Sequence, residues 1–329
     1  MMPDGIDLLV MMPALNEEAS IAAVIERVPR EIEGVRSVTV LVVNDGSTDR
    51  TVELSLAAGA VVVSHRRNRG VGAALQTGVD EAIRRRAGIL VNIDSDGQFA
   101  PEDIPKVIAP ILEGRSDWVT ASRFKDPNLE PVMPRMKRLG NWGMAQIISF
   151  LCKERFHDVS CGFRAFSRET LLNLVLLGQF TYTQESFLVL TQKGLRVEEV
   201  PLKIRGVREH GESRVASSLV RYAVRTLSII FSFIRDYSPG VLFNSVAVFF
   251  FLLGAGFGGF FLGHRVVVGT FSPHIWAGFV ASFMVGLGLT SFGLGQVALM
   301  IARMRSVQER QLYLIRRHLP ELAGREERP

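Results

Sequence analysis

Over its first two thirds the chain alternates short apolar runs with longer amphipathic ones. Ile6 to Met12 is apolar apart from Asp7, Val38 to Val43 is almost wholly apolar, and Ala60 to Ser64, Gly88 to Ile93 and Trp118 to Ser122 are shorter runs of the same kind. Runs of this length suit strands buried on both faces. Helical patterns lie between them: Asn16 to about Val28, Arg69 to about Arg86, and Pro101 to Leu112. Asn16 is placed as an N-cap, with Glu17 and Glu18 in the first turn. Further on, Pro131 to Phe156 reads as a loop leading into an amphipathic helix, and Thr181 to Ser186 enters a helix ending near Lys193. Leu195 to Arg205 alternates like a strand, and Arg208 to Arg214 is a polar loop with Gly211 within it. Strands alternating with helices predict an α/β fold, a Rossmann-like, mostly parallel sheet with helices on both faces.

The last third changes character. Ser217 to Tyr237 mixes Arg221, Arg225 and Arg235 with Leu219, Val220, Ile229, Ile230, Phe231 and Phe233. That mixture fits an amphipathic helix lying in a lipid bilayer interface, its arginines reaching the headgroups. Val241 to Gly263 carries no charge, and Ile275 to Ala302 is a second such run. Each meets the length of about 20 residues needed to cross a bilayer. Gly254/Gly258 and Gly259/Gly263 are small-residue pairs suited to close helix packing, either of the two spans on each other or in a homo-oligomer. His264 and Arg265 mark the hairpin tip. Arg235 precedes the first span, and Arg303, Arg305, Arg310, Arg316 and Arg317 follow the second. The positive-inside rule then makes both flanks cytoplasmic. The expected organisation is a sheet domain over 1–214, an interfacial helix over 215–237, a two-helix transmembrane hairpin over 238–303 and a tail over 304–329. An integral membrane protein with its sheet domain and both termini cytoplasmic is expected.

Composition narrows the choice. The 329 residues carry a formal charge of +5, with no large basic block and no nucleic-acid-binding module, so no nucleic acid partner is expected. Two cysteines, Cys152 and Cys161, make neither a disulfide framework nor a zinc pattern. The N-terminus has no signal-peptide pattern.

The chemistry gathers where the strands end. In a parallel sheet, ligands bind at the carboxyl ends of the strands. Pro13 to Glu17, Asn44 to Asp49, Asp94 to Gln98 and Ala121-Ser122-Arg123 all fall there. Asp94 and Asp96, one residue apart with Gln98 beyond, offer hard oxygen ligands with room for water and a phosphate, which suits Mg²⁺ or Mn²⁺. Taken alone, the same residues also read as an Asp-Gly turn capping the next helix. Several acidic turns on one edge favour a site. No G-x-G-x-x-G follows the first strand and no G-x-x-x-x-G-K-[ST] occurs, which disfavours dinucleotide dehydrogenases and P-loop enzymes. Arg135, Lys137 and Arg138 are a solvated face or a clamp for an anionic acceptor near the membrane. Arg164 could be structural or could face a phosphate, and Glu185 is an active-site carboxylate or a first-turn charge.

Pro13-Ala14-Leu15-Asn16-Glu17, Val43-Asn44-Asp45-Gly46-Ser47-Thr48-Asp49, Asp94-Ser95-Asp96-Gly97-Gln98 and Gly162-Phe163-Arg164-Ala165 together resemble a family 2 glycosyltransferase of the GT-A fold. Among these the chain is most similar to the polyprenyl-phosphate (dolichyl-phosphate) mannosyl- and glucosyltransferases, over roughly Ile6 to Arg214. The resemblance implies a nucleotide-diphosphate sugar donor, GDP-mannose or UDP-glucose, and a polyprenyl phosphate acceptor. Pro13, Leu15, Glu17, Val43 and Asp45 would contact the base and ribose, and Asp94 and Ser95 the ribose and diphosphate. Asp96 and Gln98 would hold Mg²⁺ or Mn²⁺, with Asp94 a further candidate ligand. Asp94, Asp96 and Arg123 would be the catalytic residues. Arg123, Arg135 and Arg138 would face the acceptor phosphate. Arg208 and Arg214 match a loop that folds over the diphosphate, Arg214 standing where the family usually has Lys. None of Trp118, Trp142 and Trp276 follows an Arg, so the Q-x-x-R-W motif of processive synthases is absent and single-sugar transfer is implied. Two other readings remain: a related membrane-anchored enzyme with another lipid or glycan acceptor, or a non-catalytic nucleotide-sugar-binding membrane protein.

Overall fold

A computed structural model describes residues 5–175, 182–204 and 239–326. The chain divides into two units, Met1–Ser218 with Leu312–Pro329, and Leu219–Gln311.

The first unit is built on a seven-stranded sheet: β1 (Ile6–Ala14), β2 (Val35–Asn44), β3 (Val61–Ser64), β4 (Ile89–Asn92), β5 (Trp118–Ser122), β6 (Arg164–Ser167) and β7 (Val197–Pro201). Their order across the sheet is β3-β2-β1-β4-β6-β5-β7. The β1–β2, β1–β4, β2–β3 and β5–β7 pairs are parallel. Only β6 runs the other way, antiparallel to both β4 and β5. The helices are α1 (Ile21–Glu26), α2 (Thr51–Ala57), α3 (Val71–Arg84), α4 (Ile104–Leu112), α5 (Arg135–Cys152), α6 (Arg168–Asn173) and α7 (Tyr182–Gln192). Leu8, Val10 and Met12 of β1 and Ile89 and Val91 of β4 pack with Ile21, Val24 and Ile25 of α1 and with Ile104, Val107 and Ile108 of α4. α3 lies against β1, β2 and β4, and α6 against β4 and β6. The central strands are therefore covered on both faces, which is why their sequences are apolar at consecutive positions rather than at alternate ones.

The structure departs from the sequence expectation in several places. β6 is a strand to which the sequence pattern assigns no element: Arg-Ala-Phe-Ser is four residues long with a buried charge. Asn16 does not cap a helix. It sits in the left-handed region at φ 56°, and α1 starts only at Ile21. Pro101–Asp103 is a 3-10 turn ahead of α4.

In the second unit, α8 (Pro239–Val268) and α9 (Ile275–Glu326) form the apolar runs. Both are long and apolar enough to cross a membrane, with mean hydropathy 2.1 and 1.7. His264 and Arg265 lie inside α8, so the turn is made by residues 269–274 instead. Glycines form notches for large side chains of the opposite helix. A Cβ at Gly288 would come 2.8 Å from Phe251, and one at Gly254 2.8 Å from Val285. Gly254 and Gly258 thus face the second helix, whereas Gly259 and Gly263 have no heavy atom within 4 Å of such a Cβ. α9 runs on beyond the expected hairpin end at 303. From Leu312 onward it belongs to the first unit, where Arg316 donates to Leu174 O (2.8 Å) and pairs with Asp80 (2.9 Å). The expected interfacial helix over 215–237 lies outside the described residues.

Candidate active site

β1, β2, β4 and β5 all end on one edge of the sheet, and the antiparallel β6 begins there. Pro13 and Val43 are partners in the β1–β2 register, as are Met11 and Asn92 in the β1–β4 register. The turns that follow are tied to one another by hydrogen bonds. Asn16 N donates to Ser47 Oγ (3.0 Å), Thr48 N to Asn16 Oδ1 (2.9 Å) and Glu17 N to Thr51 Oγ1 (2.9 Å). The Ser95 hydroxyl donates to Pro13 O (2.9 Å), and Ser20 donates to Ser95 O (2.8 Å). Three loops far apart in sequence thereby become one rigid rim.

Asp94 and Asp96 sit on this rim. Asp96 is 4 % exposed, and its Oδ1 accepts from Gln98 N (3.1 Å) in a turn closed by Gly97 at φ 74°. Asp94 is half-buried. A Cβ at Gly162 would lie 3.0 Å from its Oδ2, 3.1 Å from its Oδ1 and 3.2 Å from the Tyr182 hydroxyl. Only a glycine at 162 leaves that carboxylate its place. The candidate donor set is two carboxylates and the Gln98 amide, all hard oxygens. Among the described residues, no cluster of three or more His, Cys, Asp or Glu side chains could hold a metal. That set fits a Mg²⁺- or Mn²⁺-type ion bound through two carboxylates, with the remaining positions left to water and phosphate. Burial, reinforced by the Asp94 charge, pushes the Tyr182 hydroxyl well above its usual range, so it stays neutral beside Asp94.

Arg123 follows β5 directly. Its Nε donates to Asp158 Oδ2 (2.7 Å), and its Nη2 donates to Asp158 Oδ1 (2.9 Å) and Ser160 Oγ (2.7 Å). Burial works against the charge of Arg123, but Asp158 outweighs it and holds the guanidinium above its usual range, with Asp94 adding to the effect. Asp158 is held below the carboxylate range: burial opposes its charge and Arg123 outweighs that burial. Ser160 in turn donates to Asn141 Oδ1 of α5 (3.2 Å).

Other expected contacts are placed differently. Val43 is 0 % exposed, so the structure gives it no surface to present to a base. Ser95 is likewise buried and spends its hydroxyl on Pro13. Asp45 keeps little carboxylate surface. Its Oδ1 lies 2.7 Å from His65 Nδ1 and accepts from Arg69 N (2.9 Å), and its Oδ2 accepts from Gly70 N (2.8 Å). Asp45 therefore ties its turn to the N-terminus of α3, where a negative charge is favoured. Pro13, Leu15 and Glu17 are half-buried on the rim. Arg164 is structural. It is 0 % exposed and donates to Cys161 O (2.9 Å), Thr183 O (2.8 Å), Val159 O (3.3 Å) and Ser186 Oγ, with Phe187 packed over it. Glu185 lies in the first turn of α7. Arg135 and Arg138 are exposed at the start of α5, Arg138 paired with Glu130 (2.7 Å). Arg208 and Arg214 lie outside the described residues.

Sequence reasoning missed Asp158, Ser160, Asn141, His65 and Tyr182. The adjacency of Asp158 and Ser160 to the Gly162 motif was the one available signal. α5 also carries an exposed stripe that reading by amphipathicity did not resolve: Val132 just before it, then Met136, Leu139, Trp142 and Phe150, with Val132 94 % and Phe150 83 % exposed.

Known proteins resemble this chain in sequence and in fold. The polyprenol monophosphomannose synthase of Mycolicibacterium smegmatis is 31% identical over 226 residues, covering 66% of this chain and 83% of the relative. The UDP-N-acetylglucosamine–dolichyl-phosphate N-acetylglucosaminyltransferase of Methanococcus voltae is 30% identical over 216 residues, 60% of this chain and 84% of the relative. Among solved structures, glucosyl-3-phosphoglycerate synthase from Mycobacterium tuberculosis, in complex with Mn²⁺, UDP and glucosyl-3-phosphoglycerate, superposes with a TM-score of 0.53. It is 25% identical and covers 70% of this chain and 79% of that one. The model of the family described as Glycosyl transferase family 2 matches residues 9–174, just over half of the 329 residues and all the strands from which the rim is built. This chain is a glycosyltransferase and belongs to glycosyl transferase family 2.

Proposed function

We propose that the enzyme transfers one hexose from a nucleotide-diphosphate sugar, GDP-mannose or UDP-glucose, to polyprenyl phosphate at the cytoplasmic face of a membrane, with inversion at the anomeric carbon. The observation that carries this reading is the pairing, on one sheet edge, of an acidic turn at Asp94 and Asp96 with a buried-carboxylate-backed arginine at Arg123. The first, holding a divalent cation, would suit the diphosphate of a donor, and the second the phosphate of an acceptor. Pro13, Leu15 and Glu17 would border the base and ribose. Asp94, Asp96 and Gln98 would hold Mg²⁺ or Mn²⁺, which would neutralise charge growing on the leaving diphosphate. Arg208 and Arg214 would add positive charge over the same group. An acceptor phosphate is already anionic near neutral pH, so no strong general base is required of the chain.

The acceptor reading is supported by α5. Its exposed apolar stripe, with Trp142 among it, is flanked by Arg135, Lys137 and Arg138. Aromatic and basic residues together favour a lipid headgroup zone. The Arg138–Glu130 pair is solvent-exposed, hence weak, and gives Arg138 up readily to a phosphate. The two apolar helices would anchor the chain where a polyprenyl tail resides, with the sheet unit and both termini on the cytoplasmic side.

The test is transfer of radiolabel from UDP-glucose, GDP-mannose, UDP-galactose and UDP-N-acetylglucosamine to undecaprenyl phosphate, in detergent with Mg²⁺ or Mn²⁺. One donor giving a chloroform-soluble, acid-labile product supports the proposal. Label passing only to a water-soluble phosphorylated acceptor would overturn the acceptor class. Donor binding without transfer would favour a non-catalytic protein.

A further inference from the structure

Behind Arg123 stands a second buried carboxylate that the proposed chemistry does not use. Glu199 lies on β7, opposite Thr120 of β5 in the parallel register, and is 7 % exposed. Its oxygens accept from His157 N (3.0 Å to each), Asp158 N (2.8 Å) and His157 Nδ1 (2.7 Å). The backbone of Glu199 also accepts from Lys125 Nζ (2.7 Å).

A carboxylate buried to this degree is costly unless donors surround it. Here nearly all the donors come from one short stretch, His157–Asp158. Those two residues lie a few positions ahead of Ser160 and Gly162, which border Arg123 and Asp94. Asp158 is itself fully buried and spends both oxygens on Arg123 N (3.1 Å), Nε and Nη2, and on Ser160 N (3.1 Å). Two carboxylates thus act in series. Glu199 fixes the backbone from which Asp158 projects, and Asp158 fixes one edge of the Arg123 guanidinium. A guanidinium is a rigid planar fork, so holding its Nε–Nη2 edge sets the direction of its Nη1 donors.

We propose that Glu199 is a positioning residue for acceptor phosphate binding, acting through Asp158 on Arg123. The proposal rests on the reading of Arg123 as an acceptor contact. Loss of Glu199 would free the 157–158 backbone and let Arg123 swing, while the donor rim on β1, β2 and β4 is untouched. Misplacement of a binding group by about 1 Å costs up to about a hundredfold in rate.

The experiment compares full-length wild type with Glu199→Ala, Glu199→Gln, Arg123→Ala and the Glu199→Ala/Arg123→Ala double variant. KM for undecaprenyl phosphate and KM for the donor are measured separately, with thermal melting as the folding control. The expected result for Glu199→Ala is a KM for undecaprenyl phosphate raised about tenfold or more, with donor KM within about twofold of wild type. Glu199→Gln, which keeps an acceptor oxygen, recovers part of that loss and serves alone if the alanine variant does not fold. The double variant is no worse than Arg123→Ala, because residues acting through one group are not additive. An acceptor KM unchanged in both Glu199 variants, or additive losses in the double variant, would overturn the proposal. A wild-type enzyme that ignores undecaprenyl phosphate fails the acceptor reading instead. The same variant comparison, with the phosphorylated acceptor it does use, then decides Glu199 on its own.

Discussion

Gly162→Ala isolates the geometry around Asp94 with a single methyl group. The added carbon would sit 3.0 and 3.1 Å from the two Asp94 oxygens and 3.2 Å from the Tyr182 hydroxyl, all closer than ordinary van der Waals contact. Each neighbour has to retreat by a few tenths of an ångström. Tyr182 has little room to do so, because it is buried and its hydroxyl lies 3.5 Å from Asn92 Nδ2. Asp94, half-exposed on the rim, is the group that gives. Overpacking of this kind costs roughly 1–3 kcal/mol of stability. Displacing a catalytic group by a fraction of an ångström to 1 Å lowers turnover by about tenfold to a hundredfold. The assay is initial-rate sugar transfer with Mn²⁺ titrated, alongside thermal melting. The expected signature is a higher Mn²⁺ midpoint and a lower kcat in a protein that still folds. Wild-type kcat at a wild-type Mn²⁺ midpoint would refute the argument that Gly162 makes room for a working Asp94.

Asp96→Asn keeps the Asx turn to Gln98 N but removes a charge, and is expected to abolish transfer without unfolding the protein; EDTA should do the same to wild type, and activity retained in either case would remove Asp96 from the metal set. Arg164→Met leaves the Cys161, Thr183 and Val159 carbonyls without their buried donor, each such loss costing about 1–3 kcal/mol. Expression or melting temperature should fall sharply, and a variant as stable as wild type would contradict the structural role given to Arg164. The carboxyl of Asp158 titrates lower in the folded chain than in the unfolded one. Its stabilisation is therefore fully present above the ordinary carboxylate value of about 3.9 and is lost as pH falls through the lower folded value. The melting-temperature gap between wild type and Asp158→Asn should stay constant from about pH 5 to 8 and narrow only in more acid solution; narrowing near neutral pH would contradict this pairing.

The parallel half of the sheet was legible because strands buried on both faces advertise themselves as apolar runs, and the turns after β1, β2 and β4 carry the polar residues that cannot stay inside. The acidic turn at Asp94 and Asp96 could be read for the same reason. β6 could not, since four residues with an arginine in the middle carry no period, and Arg164 is tolerated there only because carbonyls across the fold receive its donors. Asp45, Ser95 and Val43 show the other limit. Their positions point to the ligand edge, but whether a side chain faces a ligand or a neighbouring loop depends on tertiary partners, 20 residues away for Asp45 and 82 for Ser95. Asp158 and Glu199 escaped reading because a lone carboxylate in a loop or a short strand looks solvated until tertiary packing buries it.

The reversed strand has one more consequence. It splits the sheet into two territories: β3, β2, β1 and β4, with the acidic rim at their ends, and β6, β5 and β7, from which Asp158, Arg123 and Glu199 come. The two meet along the β4–β6 ladder, at whose end Asn92 Nδ2 donates to Gly162 O (2.7 Å). On the proposed reading, changes to the clamp territory would be tolerated in segment grafting while the rim stays constant, provided the β4–β6 pairing and the glycine at the border are kept. The fold is in this sense a two-part cassette. On the proposed reading, one half would answer to the recipient molecule and the other to the activated sugar.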